Sequence, residues 1–425
     1  MAETQWNDVE DTIADPEELR VIFCALDSYL QYAKVAHFNC THLRRQSFYA
    51  LPQADWQMLA APPFNYLDTL DKVDDAIESN AQLARIIVKT GLPSFLSPDQ
   101  LAAADPAQEP TIPQQWAGCA KYQDVDKARS TLRQLYRDWS AGGAPEREAC
   151  YGPVMRALAA EKAAKDTTNT NYPPLRVLVP GAGLGRLVFD LCLSGFDAEG
   201  NEISYHQLLA SSYILNCCER AGRHTIYPWI HTFSNHQTRA NHLRGYPVPD
   251  IHCATELARA AAERGPDAIG SMSMVAADFL CSYADEGHAD AYDAVASVFF
   301  LDTAPNLLRY LQTIFHCLKP GGVLVNVGPL LWHFENNAPG SHGHDESDDG
   351  DTTGIADPGS FELCDDEVMA LLGRVGFEIE ARETGIEAPY IQDAESMLQT
   401  VYRASGWVAR KPAAAATATA TAVVV

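Results

Sequence analysis

In "VLVPGAGLGRL" (Val177 to Leu187) four residues suited to a buried strand run into three glycines at alternate positions, and then into an apolar stretch that can form a helix. Gly181, Gly183 and Gly185 let the backbone turn tightly and let a ligand come closer than a Cβ would permit. A nucleotide or nucleoside pocket is the functional reading, and a tight strand-to-helix connection is the structural one. The spacing is GxGxG, unlike the dinucleotide pattern GxGxxG, and Arg186 stands where a third glycine would follow.

Around this turn, strand-like and helix-like segments alternate. "LRVLVP" leads to the helix "RLVFDLCLSG", then to "FDAEGNE" and the helix "YHQLLASSYILNCCERA"; later come "SMSMVAADF", "YDAVASVFF", the helix "NLLRYLQTIFHCLK" and "GVLVNVGP". That order predicts an α/β fold, a doubly wound, Rossmann-like sheet of parallel strands joined by crossover helices. Arg223 to Gly270 reads as a turn-rich excursion, a cover or an insertion. Ahead of the sheet, from Leu19 to Ala163, apolar residues recur at helical spacing, with a Gly/Pro break in "SAGGAPEREACY". The expected organisation is a helical N-terminal domain over 1–172, a sheet domain over 173–412 with an acidic insert at about 336–360, and a low-complexity tail over 413–425.

Composition narrows the function. With 425 residues, 47% of them apolar, the chain can bury a large core. Its 31 basic and 56 acidic residues give a net charge of -25, and no Lys/Arg cluster could follow a phosphate backbone, so nucleic acid is not an expected partner. Part of the acidic excess lies in "HGHDESDDGD" (His342 to Asp351), a solvated insert by its charge, where His342 and His344 are too few to make a metal site expected. The N-terminal residues carry no secretory pattern, and no apolar run is long enough to span a bilayer. Eleven scattered cysteines without CxxC pairing suit reduced thiols in the cytoplasm, with the nucleus as the alternative compartment. The apolar N-terminal helices could serve a two-fold interface as readily as an internal one, which leaves a homodimer open.

Two acidic residues accompany the glycine turn. Glu202 ends the second strand, roughly twenty residues after Gly181, where a carboxylate can accept both hydroxyls of a ribose. Asp278 ends the third strand beside Phe279, a pair suited to adenine: the carboxylate accepts from the exocyclic amine and the ring packs on the base. Together these favour S-adenosylmethionine over a pyrophosphate-containing ligand. An NAD-dependent oxidoreductase and a catalytically silent nucleoside-binding module that docks partners stay open beside a methyltransferase.

Read together, "VLVPGAGLGRL", "GNEISYHQLLASSYILN", "FFLDTAPN", "LKPGGVLVNVGPLLWHFEN" and "RQLYRDWSAGGAPEREACY" resemble the carnosine N-methyltransferase family, from about Glu18 to Pro412. The resemblance implies a class I methyltransferase fold with a helical N-terminal extension, S-adenosylmethionine as methyl donor, and carnosine as acceptor, giving anserine. It also implies donor contacts at Gln134, Arg137, Gly181, Gly183, Glu202, Asp278 and Phe279. Arg137 would grip the donor's carboxylate with two hydrogen bonds. On the acceptor side the resemblance points to Tyr390 and Tyr402, with Phe299 and Phe300 as an apolar wall, and to Asp302 and His333 at the rim of the sheet. Imidazole is mostly neutral at pH 7, so the expected task is to choose its tautomer: Asp302 orients and stabilises the ring, and His333 completes the hydrogen-bond frame. Thr400 of "TVY" replaces one aromatic of the family's tyrosine run, so the peptide end of the acceptor could be held differently, and another histidine derivative or histidine-containing peptide is the alternative acceptor.

Overall fold

Val177, Leu178 and Val179 are buried because the strand they form, β1 (Arg176–Pro180), lies between two parallel neighbours and packs into a hydrophobic cluster on each face, Leu178 on one and Val177 with Val179 on the other. The computed structural model describes residues 15–96, 112–168, 173–336 and 359–413. The acidic insert from His342 to Asp351, with its two histidines, and all but the first residue of the expected tail lie outside them.

Around β1 run β2 (Asp197–Glu202), β5 (Met272–Ala276), β6 (Tyr292–Val298) and β7 (Leu318–Gly328), all parallel, while β3 (His224–Ile226) and β4 (Tyr246–Val248) form a separate hairpin. The order β5-β2-β1-β6-β7 reverses direction between β1 and β6, and ligands of doubly wound sheets bind outside the strand ends at such a point. Five parallel strands with crossover helices are the architecture that the alternating segments predict.

The sheet does not end as a purely parallel one. Beyond β7 come β9 (Val401–Arg410) and then β8 (Glu378–Pro389) at the edge, both antiparallel to their neighbours. The segments read from the sequence end at "GVLVNVGP", so these two strands extend the expected parallel set into a mixed sheet. Their connection needs no crossover helix, and the exposed stretch of β8 carries charge (Glu378, Glu380, Arg382, Glu383), which blunts an exposed edge. The excursion between β2 and β5 holds the β3–β4 hairpin and a helix over Cys253–Arg264.

Ahead of the sheet, long helices over Pro16–His37, Tyr66–Phe95, Tyr122–Trp139 and Ala144–Thr168 follow the apolar periodicity. In the first, Ile22, Leu26, Tyr29, Tyr32 and Ala36 form one buried stripe. The first three share a hydrophobic cluster with Leu184, Phe189, Leu209 and Ile230 of the sheet portion, while the fourth packs Val154 and Leu158 against Val177 and Val179 of β1. Polar bonds reinforce the contact: the Trp139 indole N–H donates to the Leu184 carbonyl at 2.9 Å, and the Tyr29 hydroxyl to the His206 carbonyl at 2.6 Å. All eleven cysteines are free thiols. Among the described residues no helix is long and apolar enough to cross a membrane.

Candidate active site

The carboxyl ends of β1, β2 and β6 open into a cavity of about 620 Å³, roofed by the Tyr122–Trp139 and Ala144–Thr168 helices. Gly181, Gly183, Glu202, Asp278 and Phe279 line it from the sheet, and Gln134 and Arg137 from the helices, so all seven residues expected at the donor site meet there.

At the glycine turn, Gly181 has φ +66° and a Cβ there would sit 2.6 Å from the Phe300 ring, so both conformation and space require glycine. The Gly183 N–H donates to Glu202 Oε2 at 2.9 Å, which fastens the turn to the end of β2. Glu202 Oε1 accepts the N–H groups of Ile203 and Ser204, at 3.0 and 2.8 Å. Burial pushes the Glu202 carboxyl above its usual range, while these three N–H groups pull it back. Two N–H donors occupy Oε1 and one reaches Oε2, so Oε2 is the atom with capacity for a ribose hydroxyl. Asp278 stands two residues beyond β5, not at its last residue: it is the N-cap of the Phe279–Tyr283 helix, and Oδ1 accepts from Leu280 N–H at 2.8 Å and Cys281 N–H at 3.1 Å. Phe279 packs edge-on against Phe300, 5.5 Å between centroids.

Arg137 is held by its own neighbour. Nε and Nη2 donate to the two carboxylate oxygens of Asp138 at 2.7 and 3.0 Å, and the Tyr151 hydroxyl joins the same carboxylate at 3.1 Å. Burial works against the Arg137 charge, but Asp138 outweighs it and keeps the guanidinium well above its usual value. Its remaining donors are in place for an anionic group in the cavity. Arg186, where the dinucleotide pattern would have glycine, donates to Asp250 at 2.7 Å and Asp190 at 3.0 Å, and Arg147 reaches Asp250 from the other side at 2.9 Å. This ion network ties the glycine turn's helix to the excursion and to the roof.

On the acceptor side Phe299, Phe300, His333 and Tyr390 line the cavity. Phe299 has φ +54°, an uncommon state for a bulky residue, and its ring lies 5.3 Å from Tyr390 and 5.7 Å from Tyr402. Tyr402 sits behind those two rings and does not itself line the main cavity. Nor does Asp302. Only 3% exposed, it borders a separate pocket of about 10 Å³, where Oδ2 accepts the Leu331 N–H at 2.9 Å. Its carbonyl accepts the His333 N–H at 3.1 Å, so Asp302 clamps from below the segment that carries His333. The expectation that the two side chains open together into one cavity is met by His333 alone, because the chain turns in a 3-10 loop at Leu301–Thr303 and takes the carboxylate under the rim. Burial raises the Asp302 carboxyl above its usual range, against the Leu331 N–H and the nearby His333. The next helix is capped by Asn306, which leaves the Asp302 carboxylate to the Leu331 N–H.

Sequence reasoning passed over Glu146, Arg147 and Tyr151, all of which line the cavity. Their signal was the charge-rich string "RQLYRDWSAGGAPEREACY", whose inward face cannot be assigned until the two helices that it joins are docked.

A doubly wound sheet whose glycine turn, acidic strand end and capping aspartate surround one cavity at the reversal of strand order defines a class I, Rossmann-like methyltransferase. Residues 114–413 match the family model "Carnosine N-methyltransferase". The chain is 32% identical to the carnosine N-methyltransferase of Schizosaccharomyces pombe over 93% of its own length and 97% of that protein's, and 31% identical to that of Mus musculus over 91% and 85%. A SAM-dependent methyltransferase structure from Methanosarcina mazei aligns with 58% of this chain and 97% of its own at 15% identity and a TM-score of 0.31. The chain belongs to the carnosine N-methyltransferase family.

Proposed function

We propose that this enzyme transfers a methyl group from S-adenosylmethionine to the imidazole ring of carnosine, giving anserine. The observation that carries the reading is that Arg137, Glu202 and Asp278 face the same cavity as His333, Phe299 and Tyr390. The donor set fits the nucleoside: a carboxylate partner at Arg137, a ribose acceptor at Glu202 Oε2, and a carboxylate with an aromatic ring at Asp278 and Phe279 for adenine.

S-adenosylmethionine supplies an electrophilic methyl carbon on a sulfonium. What the chain supplies is orientation, since in-line displacement requires a neutral ring nitrogen facing that carbon at near contact distance. Phe299 and Tyr390 offer flat faces for the ring. His333, at the rim of the cavity, is placed to hold one ring nitrogen and leave the lone pair of the other directed inward. Asp302 acts from beneath, fixing the Leu331–His333 backbone and lending negative charge as the ring becomes positive. Neutral imidazole prevails above its pKa of about 6.5, so no strong base is required of the protein.

Purified protein incubated with labelled methyl donor and carnosine should place label on the ring. Lack of turnover with any histidyl dipeptide, despite donor binding, would refute the assignment. Asp302→Asn should bind the donor as the parent does and lose at least about tenfold in kcat/KM, since the charge is removed while the Leu331 bond can persist; an unchanged rate would remove Asp302 from the mechanism.

A further inference from the structure

Tyr390 owes its place in the cavity wall to the backbone after it, and that backbone is irregular. The β8–β9 ladder stops at Pro389, Tyr390 N–H still donates to the Thr400 carbonyl at 3.1 Å, and Ile391 then turns into the left-handed region at φ +45°. A β-branched residue rarely adopts that conformation, and it persists only where surrounding groups impose it. The imposing group here is Glu146, in the first turn of the Ala144–Thr168 helix. Its carboxylate is 4% exposed, and Oε2 accepts the Ile391 N–H at 2.7 Å while Oε1 accepts the Gln392 N–H at 3.1 Å. Arg133 completes the clamp by donating from Nη2 to the Ile391 carbonyl at 3.2 Å.

These contacts come from the same layer that carries Arg137, whose guanidinium carbon stands 5.4 Å from the centre of the Tyr390 ring. Helix register thus sets both the donor's carboxylate partner and the acceptor's aromatic wall. We propose that Glu146 is a positioning residue for the methyl acceptor: by holding two successive N–H groups of the Ile391 kink it fixes the Tyr390 ring against Phe299 and so shapes the site for the imidazole. This rests on the reading that a histidyl dipeptide occupies the cavity beside the donor.

The test is steady-state kinetics on Glu146→Gln with carnosine varied at saturating donor, alongside titration of S-adenosylhomocysteine. The glutamine keeps the volume and one acceptor oxygen but must face one N–H with its own NH2 group. The expected result is a KM for carnosine raised at least about fivefold, a smaller change in kcat, and a nucleoside Kd within about twofold of the parent. Equal loss of nucleoside affinity, or an unchanged KM, overturns the proposal. Should the glutamine variant fail to fold, Ile391→Gly takes its place, because glycine adopts the kink freely and loses the packing that stiffens it; it should raise the same KM selectively, and no change there overturns the proposal as well. A parent enzyme that binds the nucleoside but methylates no histidyl dipeptide defeats the underlying reading, an outcome separate from either variant's behaviour.

Discussion

Arg137 shows what a single side chain can and cannot disclose before folding. Its guanidinium is a planar fork whose one edge is spent on Asp138, and the proposed methyl donor would set its carboxylate on the other. Arg137→Lys keeps the charge but cannot serve both partners, and should weaken S-adenosylhomocysteine binding by about tenfold or more with little change in melting temperature, as read by calorimetry. Gly181 and Glu202 were legible because each answers a local requirement, a positive φ in one case and a strand end at fixed distance from the turn in the other. Asp302 was legible as a residue of the rim but not in its direction: the side chains of a 3-10 loop follow no strand alternation, and its carboxylate turns to Leu331 N–H instead of the main cavity. Glu146 lies in a charge-rich string, but nothing local shows which way it faces, since its partners lie 245 and 246 residues away.

At the scale of elements, the alternation of strands and helices around the glycine turn disclosed five of the seven sheet strands and their parallel sense. The antiparallel pair at the edge escaped because period-two patterning says nothing about strand direction, and β8, exposed for most of its length, hardly alternates. The excursion was legible as a turn-rich segment but its strands were not, because β3 and β4 are three residues each; Ile226, Trp229, Ile230 and Val248 seat it in the core, and an ion network adds to that hold. Asp250 is the centre of that hold, 11% exposed between the Arg147 and Arg186 guanidiniums, each 9% exposed. Asp250→Ala leaves two buried positive charges facing each other, so urea denaturation should show a loss of about 3–5 kcal/mol. A loss below about 1 kcal/mol would mean that water replaces the carboxylate and that the network contributes little.

For the whole molecule, four buried histidines work against the folded state in acid. Burial, with neighbouring cations adding to it, lowers His231 and His242 to about 3 and His224 to about 4, and burial with Lys127 lowers His206 to about 4. Because the folded values lie below the unfolded 6.5, the unfolded chain binds more protons, and these groups contribute stability above pH 6.5 that is lost as the pH falls towards 4. Buried carboxyls with raised values, Glu146, Glu202 and Asp302, act in the opposite sense, favouring the folded state as they take up protons. Through the histidines the melting temperature should fall between pH 6.5 and 4, and His206→Gln should flatten that fall; an identical slope in the variant would show that His206 titrates normally.

The Trp139 indole holds the glycine turn's Leu184 from across the boundary between helices and sheet. An incision by a site-specific protease engineered between residues 168 and 173 should therefore cut the chain without parting it. The halves should travel as one particle in gel filtration and retain nucleoside affinity, whereas a sheet half expressed alone would have a floor for its ligand and no ceiling.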